Sequence, residues 1–207
     1  MFHAKLYCIL DLGYTIEMRA EEVTSALLAG GADVLQLRAK GQDLATIQRV
    51  AERLIPLCKN AEVPFILNDF PELAAALGAD GVHIGQDDGP LSKARAIMGP
   101  GKIIGRSTHS LGQARAALEH GFDYIGYGPL FPTPTKAGRP AIGLGEISQM
   151  ECEVGSQIPA FCIGGITPDT LLEVLSAGAR RVVVVSALLL APDVAFSTRT
   201  IRERLGI

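Results

Sequence analysis

Seven short stretches carry polar and charged side chains at or just after apolar runs, and their types suit a phosphorylated ligand. In "LQLRAK", residues 35–40, the two-residue alternation of an extended chain puts Gln36, Arg38 and Lys40 on one face and Leu37 and Ala39 on the other. An amide and two cations on an inward face are costly unless that face opens onto a ligand, and the charge favours an anion. A solvated strand end is the plainer reading of the same residues. "FILND" ends in Asn68 and Asp69, and "GVHIGQDD" supplies His83, Gln86, Asp87 and Asp88. Carboxylates at two adjacent strand tips can share magnesium, which accepts one or two carboxylates and completes its shell with water and phosphate oxygens. Asp and Asn also serve as turn and cap residues. His83, inside its run, reads as a packed core histidine.

"IIGRSTHS" places Ser107 and His109 beyond an apolar run and Ser110 where it can cap a helix. No Ser-His-Asp order or nucleophile elbow accompanies them, so hydrolase chemistry has little support. "PTPTK" gives a proline-stiffened loop with Thr133, Thr135 and Lys136, two hydroxyls and an ammonium. "FCIGGITPDT" offers Gly164 and Gly165, whose backbone amides can approach a ligand, then Thr167 to cap a helix from Pro168. "VVVVSA" ends on Ser186.

These stretches need a frame that brings them to one place. "SALLAGGADVLQL", "ELAAALGADGVHI", "ARAALEHGFDYIGY" and "LEVLSAGARRVVVV" each run from helix formers through a glycine into a strand-like segment. Gly31, Gly78, Gly121 and Gly178 suit the left-handed residue that ends a helix. Their spacing accommodates two βα units per interval. Filling in the rest predicts strands near 6–10, 64–67, 102–105 and 159–163. Helices are expected over 16–29, 43–59, 71–77, 91–98, 110–120, 145–152, 168–177 and 194–205. Eight alternating units over residues 1–207 predict a single (β/α)8 barrel domain. An open doubly wound sheet is the alternative, and no GxGxxG follows the first strand to support it. In a barrel, loops after strands 7 and 8 form a recurrent phosphate site, here beside Gly165, Val185 and Ser186.

Composition narrows the classes. The 207 residues are 48% hydrophobic, enough for one substantial core, and the net charge of −3 leaves no basic footprint for nucleic acid. Cys8, Cys58, Cys152 and Cys162 lack any CxxC or adjacent His, which argues for a reducing compartment rather than a disulfide frame or zinc site. No signal-like segment opens the chain, and no apolar run reaches the roughly 20 residues of a membrane span. The expectation is a cytoplasmic protein that binds neither nucleic acid nor membrane and that can self-associate through its helices.

The ordered set "LQLRAK", "ILNDFPELAAALGADGVHIGQDD", "GRSTHS", "YIGYGPLFPTPTK" and "IPAFCIGGITPDT…VVVVSA" resembles the thiamine-phosphate synthase family along most of the chain. The resemblance implies a (β/α)8 transferase. It would join 4-amino-2-methyl-5-hydroxymethylpyrimidine diphosphate to 4-methyl-5-(2-phosphooxyethyl)thiazole and release pyrophosphate through a pyrimidine-methyl cation. It further implies that Gln36, Arg38, Lys40 and Asn68 hold the pyrimidine diphosphate and that Asp69 and Asp88 bind Mg2+. Ser107 and Lys136 would contact the leaving pyrophosphate, with Arg38 sharing its charge. Thr133, Thr135, Gly165, Val185 and Ser186 would serve the thiazole phosphate and a lid. Two residues depart from the family pattern: Ala39 stands where Glu is common, and Arg106 where a small apolar residue is usual. A thiazole tautomerase-like relative and a non-catalytic phosphate sensor on the same barrel are the alternatives. The retained Asp69, Asp88 and Thr-x-Thr-Lys argue against the first.

Overall fold

The four glycine joins are turns of the kind the sequence demands. Gly31, Gly78, Gly121 and Gly178 hold φ of 92°, 72°, 84° and 107° in the computed structural model, which describes residues 1, 3–133 and 140–206. Eight strands result: β1 (Leu6–Asp11), β2 (Val34–Arg38), β3 (Phe65–Asn68), β4 (Gly81–Ile84), β5 (Ile103–Thr108), β6 (Tyr124–Tyr127), β7 (Ala160–Ile163) and β8 (Val182–Val184). Each pairs in parallel with the next, and β1 pairs with β8 to close the barrel. The connecting helices are α1 (Ala20–Ala29), α2 (Leu44–Asn60), α3 (Pro71–Ala76), α4 (Leu91–Met98), α5 (Leu111–His120), α6 (Ile147–Met150), α7 (Leu171–Ser176), α8 (Ser186–Leu189) and α9 (Val194–Arg204). No helix among the described residues is long and apolar enough to cross a membrane.

The first three joins read Gly-x-Asp, and the Asp has a repeated job. Asp33, Asp80 and Asp123 each stand just before an even-numbered strand. Their carboxylates accept backbone N–H groups at the start of the preceding strand: Leu6 at 2.9 Å, Phe65 at 2.8 Å and Ile104 at 2.7 Å. A carboxylate there satisfies an amide that the ladder leaves open at the barrel's lower rim. Arg202 of α9 also donates to Asp33 at 2.8 Å, tying the last helix to the first strands.

The fourth join reads Gly-Ala-Arg, and a different acid serves it. Glu151, buried in the wide turn Glu151–Gly155 after α6, accepts the Arg180 N–H at 3.1 Å. A Cβ on Gly155 would lie 2.3 Å from the Glu151 carboxylate, so the turn closes around the acid only with glycine there. Burial pushes the Glu151 carboxyl above its ordinary value. The expected 145–152 helix is α-helical only over Ile147–Met150 and continues into this wide turn.

The 168–177 helix likewise starts late, at Leu171. The Thr167 N–H donates to the Thr170 hydroxyl at 2.9 Å and the Thr170 N–H to the Thr167 hydroxyl at 3.3 Å, which holds 167–170 as a closed turn. Thr167 therefore caps a turn rather than a helix that begins at Pro168. The 16–29 segment splits into a 3-10 turn over Glu17–Arg19 followed by α1. Strand β5 runs three residues further than expected, which places Ser107 inside the strand. Asp43 and Ser110 cap α2 and α5, accepting amides at 2.7 Å and 3.2 Å.

Apolar side chains fill two compartments. One lies between barrel and helices, and Ala39 packs there, facing outward as strand alternation requires. The other lies inside the barrel, where Tyr7, Tyr124 and Phe161 meet with ring centroids 5.3–5.9 Å apart. Gly105 makes room for them, since a Cβ there would come within 2.0 Å of the Tyr124 ring.

Cys8, Cys58 and Cys162 are buried and Cys152 is exposed. Burial pushes the Cys58 thiol up to about 12 and the Cys8 and Cys162 thiols well above their ordinary value. Thiolate is the reactive form, so brief alkylation of the folded protein at neutral pH is expected to add one label, on Cys152. Intact mass spectrometry showing several labels before unfolding would contradict this burial.

Candidate active site

The barrel interior is closed by aromatic rings below and opens above, at the carboxyl ends of the strands. A cavity of about 70 Å³ lies there, lined by residues from all eight strands or the loops that follow them. Nine of the residues read from sequence as ligand-facing share this wall: Gln36, Arg38, Asn68, Ser107, Thr133, Gly164, Gly165, Val185 and Ser186. Lys40 lies beyond the end of β2 and does not line the cavity; its ammonium reaches the Asp69 carboxylate at 3.5 Å. Thr135 and Lys136 lie outside the described residues.

Arg38 is held by an acid that the sequence reading passed over. Asp11 ends β1 in register with Arg38 on β2, is almost fully buried, and pairs with the guanidinium. Asp11 also accepts the Gly13 N–H at 2.8 Å, so its orientation is fixed from both sides. A paired, anchored Arg38 loses little rotamer freedom when it meets an anion.

The floor carries a continuous hydrogen-bonded chain. Gln36 Nε2 donates to Asn68 Oδ1 at 2.8 Å, and Tyr7 donates to Gln36 Oε1 at 3.2 Å. Tyr7 and Tyr124 hydroxyls are 2.9 Å apart, His83 Nδ1 is 2.9 Å from the Tyr124 hydroxyl, and His83 Nε2 is 2.9 Å from Ser107 Oγ. Each hydroxyl has one proton to give. Tyr7 spends its proton on Gln36, so Tyr124 donates to Tyr7 and must accept from His83 Nδ1–H. A neutral His83 ring then has a bare Nε2 that accepts the Ser107 proton. Burial pushes both tyrosines well above their ordinary value, which keeps them protonated. His83 is therefore no packed core histidine: it lines the cavity and orients Ser107. His109, by contrast, turns away to the Gly128 carbonyl.

Two carboxylates stand beside this wall. Asp69 follows Asn68 with φ of 69°, and Asp88 sits on the loop after β4, where its Oδ2 accepts the Gly85 N–H at 2.6 Å. Burial pushes the Asp69 carboxyl up, the charge of Asp88 adds to that, and Lys40 opposes it. A carboxyl whose proton affinity is raised by burial and by a second carboxylate is a fit for a cation. Among the described residues no cluster of three or more His, Cys, Asp or Glu could hold a metal. Two carboxylates match what magnesium accepts, and a transition metal has no ligand set among the described residues.

Across the cavity, Gly164 and Gly165 have φ of 100° and 68°. The segment after β6 lies against them, with Leu130 N–H donating to Ile163 O at 2.9 Å and Phe131 N–H to Gly164 O at 3.1 Å. A Cβ on Gly164 would stand 2.5 Å from Pro129. The returning arm pairs with the same segment, Ile142 N–H to Pro129 O at 2.8 Å and Gly143 N–H to Leu130 O at 3.1 Å. These bonds fix both arms that flank the "PTPTK" segment and set Thr133 at the cavity.

A closed parallel barrel with a cavity at the carboxyl ends of its strands is the build of a (β/α)8 enzyme. The comparisons narrow that class. Residues 6–188 match the family model described as thiamine monophosphate synthase. The thiamine-phosphate synthase of Thermus thermophilus is 47% identical over 193 residues, 93% of this chain and 92% of the relative. That of Mycobacterium sp. (strain KMS) is 42% identical over 197 residues, covering 89% and 85%. The solved thiamine phosphate pyrophosphorylase of Pyrococcus furiosus superposes with a TM-score of 0.87 at 34% identity, covering 98% of this chain and 96% of that one. The chain belongs to the thiamine monophosphate synthase family.

Proposed function

We propose that this chain carries out the reaction of its family, thiamine phosphate synthesis, by ionising a pyrimidine diphosphate before the thiazole nitrogen attacks. The bond between the pyrimidine methylene carbon and the diphosphate oxygen breaks, and its electron pair leaves on pyrophosphate. The thiazole nitrogen then gives its lone pair to the methylene carbon, forming the C–N bond of thiamine phosphate. No protein nucleophile is needed, so the work of the chain is to stabilise the leaving group and hold the partners in line.

The observation that carries this reading is one cavity with Arg38 at the end of β2 on one side and the Gly164–Gly165 and Val185–Ser186 backbone on the other. Gln36 and Asn68 position the pyrimidine. Arg38, Lys40, Ser107 and Lys136 receive the diphosphate. Thr133, Thr135, Gly165, Val185 and Ser186 take the thiazole phosphate. Asp69 and Asp88 hold magnesium, which when bound supplies positive charge to the diphosphate oxygens. When a phosphate oxygen arrives at Ser107, the serine hydroxyl would turn from His83 Nε2 and donate its own proton to that oxygen. The chain works as one domain, and its four free cysteines support cytoplasmic residence.

Calorimetry tests the two-subsite arrangement. Pyrophosphate is expected to bind with magnesium, to be displaced by the pyrimidine diphosphate, and to remain bound when thiazole phosphate is added. Displacement by thiazole phosphate would mean one anion site and contradict the arrangement.

Acid should weaken the metal site early. The Asp69 carboxyl is raised in the folded protein, so it takes up a proton at a higher pH than an ordinary aspartate. Stability linked to that proton is fully present below the unfolded value and is lost as pH rises through the folded one. Metal affinity runs the other way. Manganese binding, read by its resonance signal, is expected to fall as pH drops through the raised Asp69 value, and Asp69→Asn should remove that step. A pH profile identical in the variant would contradict the assignment.

A further inference from the structure

Arg106 precedes Ser107 on β5, and strand alternation turns its side chain away from the cavity that Ser107 lines. Its guanidinium ends in the loop after β4. Nη1 donates to the Gly89 carbonyl at 2.8 Å and Nη2 to the Gln86 carbonyl at 3.1 Å. The Phe122 ring backs the group, with its centroid 5.3 Å from Cζ. The same loop is tied at two further points. Gln86 Nε2 donates to the Ser107 carbonyl at 2.5 Å, and Asp88 closes a turn on Gly85, its N–H reaching the Gly85 carbonyl at 3.3 Å. The two carbonyls held by Arg106 flank Asp87 and Asp88 in sequence.

A planar fork that takes one carbonyl from each side of an acidic pair fixes the path of the chain between them. We propose that Arg106 is a positioning residue for the divalent-cation site: by clamping the Gln86 and Gly89 carbonyls it holds the loop that carries Asp88. The inference rests on the reading of Asp69 and Asp88 as the metal's carboxylates. Two effects of Arg106 oppose each other. Order in the loop strengthens cation binding, and a positive charge near Asp88 weakens it. Asp88 is exposed, so solvent and salt screen the charge, whereas the loss of order has no such relief. Positioning therefore dominates.

The test measures manganese binding by magnetic resonance, with and without pyrophosphate, for the wild-type protein, Arg106→Met and Arg106→Lys. Hydrogen exchange of residues 85–90 is followed alongside. Arg106→Met is expected to weaken manganese binding about tenfold, the low end for residues that support a metal ligand, and to speed exchange in the loop. Arg106→Lys, which keeps the charge but loses the fork, should recover part of the affinity. Should the Met variant not fold, the Lys variant carries the test alone, and unchanged affinity there would overturn the proposal. Equal or tighter manganese binding by a folded Met variant would overturn it while leaving the metal reading intact. Absence of manganese binding to the wild-type protein, even with pyrophosphate, would overturn both.

Discussion

Arg38→Met is expected to cost roughly 10²–10³-fold in turnover and roughly 3–5 kcal/mol in stability, two losses with separate causes. Turnover falls because a preorganised cation no longer meets the charge that grows on pyrophosphate. Stability falls because Asp11, almost fully buried, loses the guanidinium that pairs with it and is left as an uncompensated buried acid. For a chain of this length the thermal midpoint should drop on the order of 10 °C. Adding Asp11→Asn separates the effects. The amide still accepts the Gly13 N–H and carries no unpaired charge, so the double variant should regain most of the stability and none of the turnover. A single variant as stable as wild type would show that the Asp11–Arg38 pair contributes little, and a double variant with restored turnover would remove Arg38 from the leaving-group site.

Asp88→Asn is the second large effect. Its side-chain oxygen can still accept the Gly85 N–H, so the turn survives, while one of the two charges facing the cation disappears. Magnesium is held by charge as well as geometry, and loss of a direct ligand should exceed the roughly 10–100-fold seen when supporting partners are removed. The half-saturating magnesium concentration is therefore expected to rise by about 100-fold or more, with an unchanged circular dichroism spectrum. An unchanged magnesium titration would mean that the acids at Asp69 and Asp88 serve the loop rather than a metal.

The barrel was legible because the helix–Gly–strand joins are local: a left-handed residue after a helix needs glycine, and a strand follows at once. The Gly-x-Asp repeat carried more information than its glycine, since the Asp reaches an amide on the preceding strand. The tips of β2, β3, β7 and β8 were legible too, as polar residues there have few structural reasons to follow apolar runs. His83 was not, because a lone histidine in a strand is ordinarily packed, and its partners Tyr124 and Ser107 lie 41 and 24 residues away. A usable signal existed in Gly105 and Gly126. A glycine inside a buried strand often faces something large, and these two sit in register beside His83 and Ser107. Asp11 was invisible because its meaning depends on the β1–β2 register, which places it opposite Arg38. Arg106 stood out in the sequence only as a departure from the family pattern, just before Ser107. The strand carries it to the outer side, into the loop of Asp88.

The most direct test incubates the purified protein with both phosphorylated substrates, with magnesium and then with a chelator, and follows thiamine phosphate by mass spectrometry. The account predicts product with magnesium, none with the chelator, and recovery when magnesium is restored. Equal product formation with the chelator present would contradict the role given to Asp69 and Asp88. A folded protein that binds thiazole phosphate and yields no product under any condition would contradict the synthase itself.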